Sequence, residues 1–233
     1  MTKTYGQYCG VARALDLVGG RWSLLIVRDL LTGPKRFTEL ERGLPGIATN
    51  VLASRLRELE EVGLVRRSLL GPGSSSVVYE LTPYGRELEE PIVALGRWGG
   101  RSLGEPKAGD SFSFSSFAIA LRSAFRPDET GDRELRFEIR LEEGALRVAV
   151  SRGRLSFPND PTWEARVVLE SRLEVLSDIL IGRLDLDHAL TSGSIRIAGP
   201  KRDARRFFQI FSLVQAGAAP GDVRAGAHGA DRR

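Results

Sequence analysis

The chain has 233 residues, 42% hydrophobic and 27% charged, enough apolar material for one large core or two small ones, which excludes wholesale disorder. No apolar run approaches the roughly 20 residues of a bilayer crossing, Met1 to Gln7 lacks the apolar stretch of an export signal, and one cysteine with two histidines excludes a disulfide framework and a thiolate–imidazole zinc site. The expectation is a cytoplasmic protein without cofactor, metal or membrane partner. The formal charge is +4, with 14 basic and 11 acidic residues in 1–104 and 20 and 19 thereafter, so a nucleic-acid partner would be held by a few placed arginines and not by a polybasic arm.

Cys9 to Val18 places Val11, Ala14, Leu15 and Val18 at helical spacing, and Gly19-Gly20 ends that helix. Trp22 to Leu31 is apolar around most of its circumference, which predicts a buried helix stopped by Gly33-Pro34. A short helix follows from Phe37 to about Arg42, then the Pro45-Gly46 turn. Thr49 to Val62 carries Leu52, Leu56 and Leu59 on one face and stops at Gly63. Two helices joined by a short glycine-containing turn make a helix-turn-helix. Leu64–Leu70 and Val77–Leu81, separated by a glycine- and serine-rich tip, add a hairpin, or wing. Thr82-Pro83 supplies a cap and a first-turn proline for a long amphipathic helix with Leu88, Ile92, Leu95 and Trp98, kinked at Pro91.

Glycine, proline and charge replace that periodicity in 104–110, the expected linker. Phe114, Phe117, Ala118, Leu121 and Phe125 then share a helical face, and Leu135, Phe137, Ile139 and Leu141 alternate with charged residues as a half-buried strand does. Leu146, Val148 and Val150, then Leu155 and Phe157, continue an antiparallel meander; Ala165, Val167 and Leu169 form a further strand. Ser171 is expected to cap a helix carrying Leu173, Leu176, Ile179 and Leu180. A short turn of helix covers Leu186–Leu190, Ile195 and Ile197 make the last strand, and Pro200 opens a helix with Phe207, Phe208, Ile210 and Phe211. The predicted fold class is two domains: a mainly α winged helix-turn-helix in 1–103, and in 111–215 an α+β domain with an antiparallel sheet of about five strands covered by helices on one face. Residues 216–233 are expected to be a disordered tail.

A helix-turn-helix offers one helix to a B-DNA major groove about 12 Å wide and lays its hairpin on the flanking backbone. With Leu52, Leu56 and Leu59 inward, the face of the second helix turned outward holds Asn50, Ser54 and Arg57. Asn50 suits adenine, Arg57 suits guanine or a phosphate, and Ser54 permits close approach. Lys35, Arg36, Thr38, Thr49, Arg55, Arg66 and Arg67 are assigned to phosphates, which position the protein without reading sequence. Glu58, Glu60 and Glu61 would repel phosphates, so the N-terminal half of the helix enters the groove.

Tyr5-Gly-Gln-Tyr-Cys9, Gly19-Gly-Arg-Trp22, Arg36-Phe-Thr-Glu-Leu40, Leu56-Arg-Glu-Leu-Glu60 with Gly63-Leu-Val65, and Tyr79-Glu-Leu-Thr-Pro83 with Gly85 closely resemble, over residues 5–103, the HxlR family of bacterial winged-helix transcription regulators. The resemblance implies a homodimer formed through residues 9–18 and 84–103, with reading helices on successive major grooves of a roughly palindromic operator, and a repressor. It also implies a candidate redox thiol in Cys9, whose other reading is a small residue at the start of a helix on the dimer contact. Ala48-Thr49 depart from the family's serine cap followed by proline.

The second half resembles the sterol-carrier-protein type 2 fold in its topology, in Ile181-Gly-Arg-Leu184 with Ala189-Leu190 and Ser192-Gly-Ser-Ile195-Arg-Ile197-Ala-Gly199, and in the closing helix. This resemblance implies an apolar cavity for a hydrophobic effector, lined here by Phe137, Ile139, Val148, Leu176, Ile179, Leu180, Phe207 and Phe211; a packed core accounts for the same stripes. His188 with Asp185 and Asp187 reads as an exposed turn with a capping aspartate. Without a nucleophile, a phosphate loop or a second nearby histidine, no enzyme is expected. The functional expectation is a sequence-specific DNA-binding transcription regulator; the alternative is a lipid or sterol carrier whose winged helix serves mainly for dimerisation.

Overall fold

The computed structural model describes residues 4–70, 75–102, 107, 110, 113–142, 144–158, 160 and 162–211. The first half runs α1 (Gly10–Val18), α2 (Ser23–Leu30), α3 (Phe37–Gly43), α4 (Thr49–Glu61), β1 (Val65–Leu69), β2 (Val77–Leu81), α5 (Pro83–Arg86) and α6 (Glu89–Gly100). Its core forms where the apolar stripes meet: Ile26, Val27 and Leu30 of α2, Leu40 of α3, and Leu52, Leu56 and Leu59 of α4 are all buried. α4 ends as glycine-terminated helices do. Gly63 adopts φ +73°, and the Leu64 N–H reaches the Leu59 carbonyl at 2.9 Å. The wing pairs Val65 with Leu81 through Leu69 with Val77. Two further bonds between Lys35 and Tyr79, at 2.9 and 2.8 Å, tie β2 to the segment before α3.

Thr82 caps α5 as expected, its hydroxyl accepting from the Gly85 N–H at 3.0 Å and donating to the Gly63 carbonyl at 2.6 Å. The long kinked helix is corrected to two, α5 and α6, parted at Glu87–Leu88. Pro91 is the third residue of α6, where a missing N–H costs no hydrogen bond, so the proline starts a helix and does not bend one.

The second half runs α7 (Phe114–Ala124), a 3₁₀ turn (Pro127–Glu129), β3 (Leu135–Leu141), β4 (Gly144–Ser151), β5 (Arg154–Ser156), β6 (Val167–Ser171), α8 (Leu173–Leu180), α9 (Leu186–Thr191), β7 (Ile195–Ala198) and α10 (Lys201–Ile210). The sheet order is β5-β4-β3-β6-β7. It is mixed, which corrects the antiparallel expectation: β6 runs parallel to β3, with Phe137 beside Val167. The hairpin to β4 and β5 occupies one side of β3, so β6 enters on the other side in the direction of β3, a connection a tight turn could not make. Ser171 is not the cap of α8. It ends β6, its hydroxyl donating to the Ser194 carbonyl at 2.7 Å, while Arg172 takes the cap position. Phe137, Phe207 and Phe211 are wholly buried between sheet and helices, with ring centroids 5.1 Å apart for Phe137–Phe207 and 4.7 Å for Phe207–Phe211.

α7 belongs to both cores. Phe117, Ala118, Leu121 and Ala124 enter the second, while Ile119 is buried in the first. Polar contacts follow the same seam: Arg122 pairs with Glu89 at 2.6 Å, Arg97 donates to the Ser123 carbonyl at 3.0 Å, and the Thr32 and Ser115 hydroxyls lie 3.3 Å apart. Gly96 allows this approach, since a Cβ there would stand 2.9 Å from the Ser123 hydroxyl. The expected linker and tail lie outside the described residues except Lys107 and Asp110, the Lys107 N–H donating to Asp110 at 2.7 Å. No helix among the described residues is long and apolar enough to cross a membrane.

Candidate nucleic-acid interface

The helix-turn-helix is held from below. Leu44 and Ile47, on either side of the Pro45-Gly46 turn, are buried, and Gly46 takes φ +84°. These anchors fix the angle between α3 and α4. The α4 cap is Ala48, which has no side chain to bond the first amides. Asn50 and Arg57 are exposed and Ser54 half-buried on the face opposite Leu52, Leu56 and Leu59, as the periodicity predicts. Arg57 makes no ion pair or hydrogen bond among the described residues. Ser54 donates to Glu58 at 3.1 Å, and the Asn50 side-chain oxygen accepts from the Val51 N–H at 3.0 Å.

The residues assigned to phosphates fall into three groups. Arg36 and Thr38 are exposed at the start of α3, and Lys35 is half-buried just before it. Glu39 shapes this end by accepting from the Arg36 N–H at 2.6 Å. On the wing, Arg66 pairs with Glu80 at 3.0 Å, and Arg67 pairs with Glu60 at 3.2 Å with its guanidinium 5.4 Å from the Tyr79 ring. Both are exposed, so these pairs are weak and can open toward a phosphate. The third group is already engaged inside the chain. The Thr49 hydroxyl donates to Glu41 at 2.6 Å, and Arg55 bonds Glu58 while its guanidinium faces Gly20, where an added Cβ would come within 3.0 Å of it. Arg55 therefore turns toward the α1–α2 turn, and its Nε is buried without a partner. Spacing along α4 gave no sign of this, because Gly20 lies 35 residues earlier in the chain.

Behind α3, Asp29 is buried and held by Arg28 at 2.8 Å. Burial pushes its carboxyl above the usual carboxylate range, and Arg28, then Lys35, pull it partly back. Cys9 is exposed at the α1 cap, where the Ala12 and Val11 amides lower its thiol. Several large apolar side chains of this half are exposed: Tyr5, Tyr8, Val11 and Leu15 in the N-terminal arm and α1, Leu95 and Trp98 on α6, and Tyr84 on α5. α7 lies against the side of α6 that carries Glu89, Val93, Gly96 and Arg97.

In the second half, the eight residues assigned to an apolar cavity, Phe137, Ile139, Val148, Leu176, Ile179, Leu180, Phe207 and Phe211, are buried and belong to one core cluster. His188 is exposed, and Asp185 caps α9 by accepting from the His188 N–H at 2.9 Å, as the sequence suggested. No group of metal-ligating side chains occurs among the described residues. The sequence reading passed over the basic arc of α10, although Lys201-Arg202 and Arg205-Arg206 stand plainly in the chain.

Residues 17–107 match the model of the HxlR-like helix-turn-helix family, and residues 127–212 match that of the SCP-2 sterol transfer family. An HTH-type transcriptional regulator of Mycobacterium tuberculosis is 46% identical over 97 residues, 42% of this chain and 61% of the relative. The HTH-type transcriptional regulator YtcD of Bacillus subtilis is 38% identical over 103 residues, 44% of this chain and 81% of the relative. A crystal structure of YtcD aligns at 36% identity with a TM-score of 0.38, covering 42% of this chain and 99% of that one. The chain thus spans about three fifths of the length of the mycobacterial relative and most of YtcD.

Proposed function

Since the chain belongs to the HxlR-like helix-turn-helix family through residues 17–107, we propose that it is a sequence-specific DNA-binding transcription regulator, a cytoplasmic homodimer that represses, and not an enzyme. The observation that carries this reading is α4: three leucines hold it to the core while Asn50 and Arg57 are exposed on its outer face. In the complex, the first half of α4 lies in a major groove, with Asn50 to adenine and Arg57 to guanine or phosphate. Lys35, Arg36, Thr38 and one of Arg66 and Arg67 hold the flanking backbone. Thr49 reaches a phosphate only by leaving Glu41, and Arg55 serves as a brace between α4 and the α1–α2 turn. The apolar faces of α1 and α6 pair two copies so that two α4 helices meet one duplex. The contacts of α7 with α2 and α6 link the second half to the pairing surface, so a molecule bound there shifts the regulator if it favours one dimer geometry.

The match of residues 127–212 to the sterol transfer family supports a hydrophobic effector for that half. The packing gives this no help, because an apolar guest would have to displace the buried Phe137, Phe207 and Phe211. The test of the main reading is selection of bound duplex from a random pool, followed by Asn50→Ala with Arg57→Ala. The expected loss is on the order of 100-fold in affinity, with a salt slope shallower by about 1 if Arg57 lies on a phosphate. Unchanged affinity and slope would take the reading away and leave the lipid-carrier alternative.

A further inference from the structure

The cations of α10 do not form an ordinary solvated face. Lys201, Arg202, Arg205 and Arg206 fall within about 140° of the helix circumference, opposite Ala204, Phe207 and Ile210, which enter the core. Across from them runs the loop Thr130–Arg133, and the two segments enclose a cleft of about 740 Å³. This is in the range of small-molecule sites, roughly 300–1,000 Å³. The loop adds Arg133, so four arginines and a lysine line the cleft against Asp132 and Asp203. Asp203 is already held by Arg166 at 2.7 Å, and Arg205 by Asp187 at 2.7 Å. Arg133, Lys201 and Arg202 make no ion pair among the described residues.

Two features give the cleft a fixed form. Thr130 is buried, and its hydroxyl donates to the Pro127 carbonyl at 2.7 Å, which sets the loop. Arg206 donates to the Gln209 side chain at 3.0 Å and to the Glu129 carbonyl, so its guanidinium is held before any ligand arrives, while its Nε is buried without an acceptor. The planar guanidinium of Arg206, held in place, suits the paired oxygens of a phosphate, and the exposed Arg133 and Arg202 add charge beside it. A concave site of this size excludes a duplex, whose major groove alone is about 12 Å wide, from its depth and admits a compact anion.

We propose that the cleft between Thr130–Arg133 and α10 binds a phosphate-bearing molecule of low molecular mass, free or as a lipid headgroup. The inference stands apart from the DNA-binding reading, since no residue is shared with α4 or the wing. It is tested on the full chain by calorimetric titration with inorganic pyrophosphate and, in parallel, by co-sedimentation with phosphatidylglycerol vesicles. The variants are Arg133→Ala with Arg202→Ala, both exposed and unpaired, and Asn50→Ala with Arg57→Ala at the other basic surface. Saturable pyrophosphate binding that falls at least tenfold in the first variant and is unchanged in the second is the expected result and marks a free ligand. Vesicle binding alone, lost in the same variant, marks a headgroup. No binding of either probe, or binding lost only with Asn50 and Arg57, overturns the proposal. Arg202→Lys should restore part of the affinity, which a mere change of fold would not.

Discussion

Every large apolar side chain described as exposed lies in the first half, from Tyr5 to Trp98; Val11 is 70% and Trp98 73% exposed. The second half turns its phenylalanines inward, with Phe137, Phe207 and Phe211 at 0%. Both halves have a comparable stock of leucine, isoleucine and valine, so composition does not explain the difference. The first half leaves apolar side chains open on α1 and α6, the surface proposed to pair two copies, and leaves open the outer face of α4, proposed to meet DNA. The second half completes its own interior and shows water a charged exterior. Apolar surface left open is tolerated where a partner closes it, and is otherwise a liability.

The largest effect that could break this comparison is in the second interior. Phe207→Ala should cost about 3–5 kcal/mol in a urea melt, while Trp98→Ala should leave the monomer within about 0.5 kcal/mol and weaken self-association instead, read by sedimentation. Equal losses of folding stability would mean that Trp98 is a core residue. Next comes Gly85→Ala. Its Cβ would stand 2.1 Å from the Leu64 carbonyl oxygen, so the junction of wing and α5 must shift, at about 1–3 kcal/mol. A melt that matches the parent chain would show that this junction yields freely.

A smaller effect tests the seam. Arg122→Met removes the pair with Glu89 and should cost about 1 kcal/mol. Its sharper readout is cooperativity: the unfolding transition should begin to separate into two, seen by following Trp22 fluorescence, with Trp98 and Trp163 replaced by Phe, against far-ultraviolet dichroism. Superimposed curves in the variant would assign the coupling to the remaining seam contacts, Ile119 and the Arg97–Ser123 and Thr32–Ser115 bonds. The smallest effect is a pH dependence. The Asp29 carboxyl is raised in the folded state, so its contribution to stability is full below the ordinary carboxylate value of about 4 and is lost as pH rises through the folded value. Asp29→Asn should flatten that decline, and an unaltered slope of urea midpoint against pH would assign it to other groups.

Periodicity made much of this molecule readable. Leu52, Leu56 and Leu59 fixed the inward face of α4 and therefore the outward one, and the alternation from Leu135 to Leu141 fixed the buried face of β3. What escaped depends on segments far apart in the chain. Alternation has period two whichever way a strand runs, so the parallel pairing of β6 with β3 left no mark on it. Ile119 sits in the same apolar helix as Phe117 and Leu121, and residue type cannot say which of two interiors each one enters. Thr49 looked free for a phosphate because Glu41, its partner, stands across the turn from α3.

One consequence of α7 concerns anyone who trims this chain. The glycine-rich stretch after Gly100 invites a cut, since it looks like the border of a self-sufficient module. Shortening the gene there would remove Ile119 and bare the trough between α2 and α6 where it rests. The product would be a stickier particle than its parent, with a second site for unwanted clumping added to the apolar side chains already open on α1 and α6.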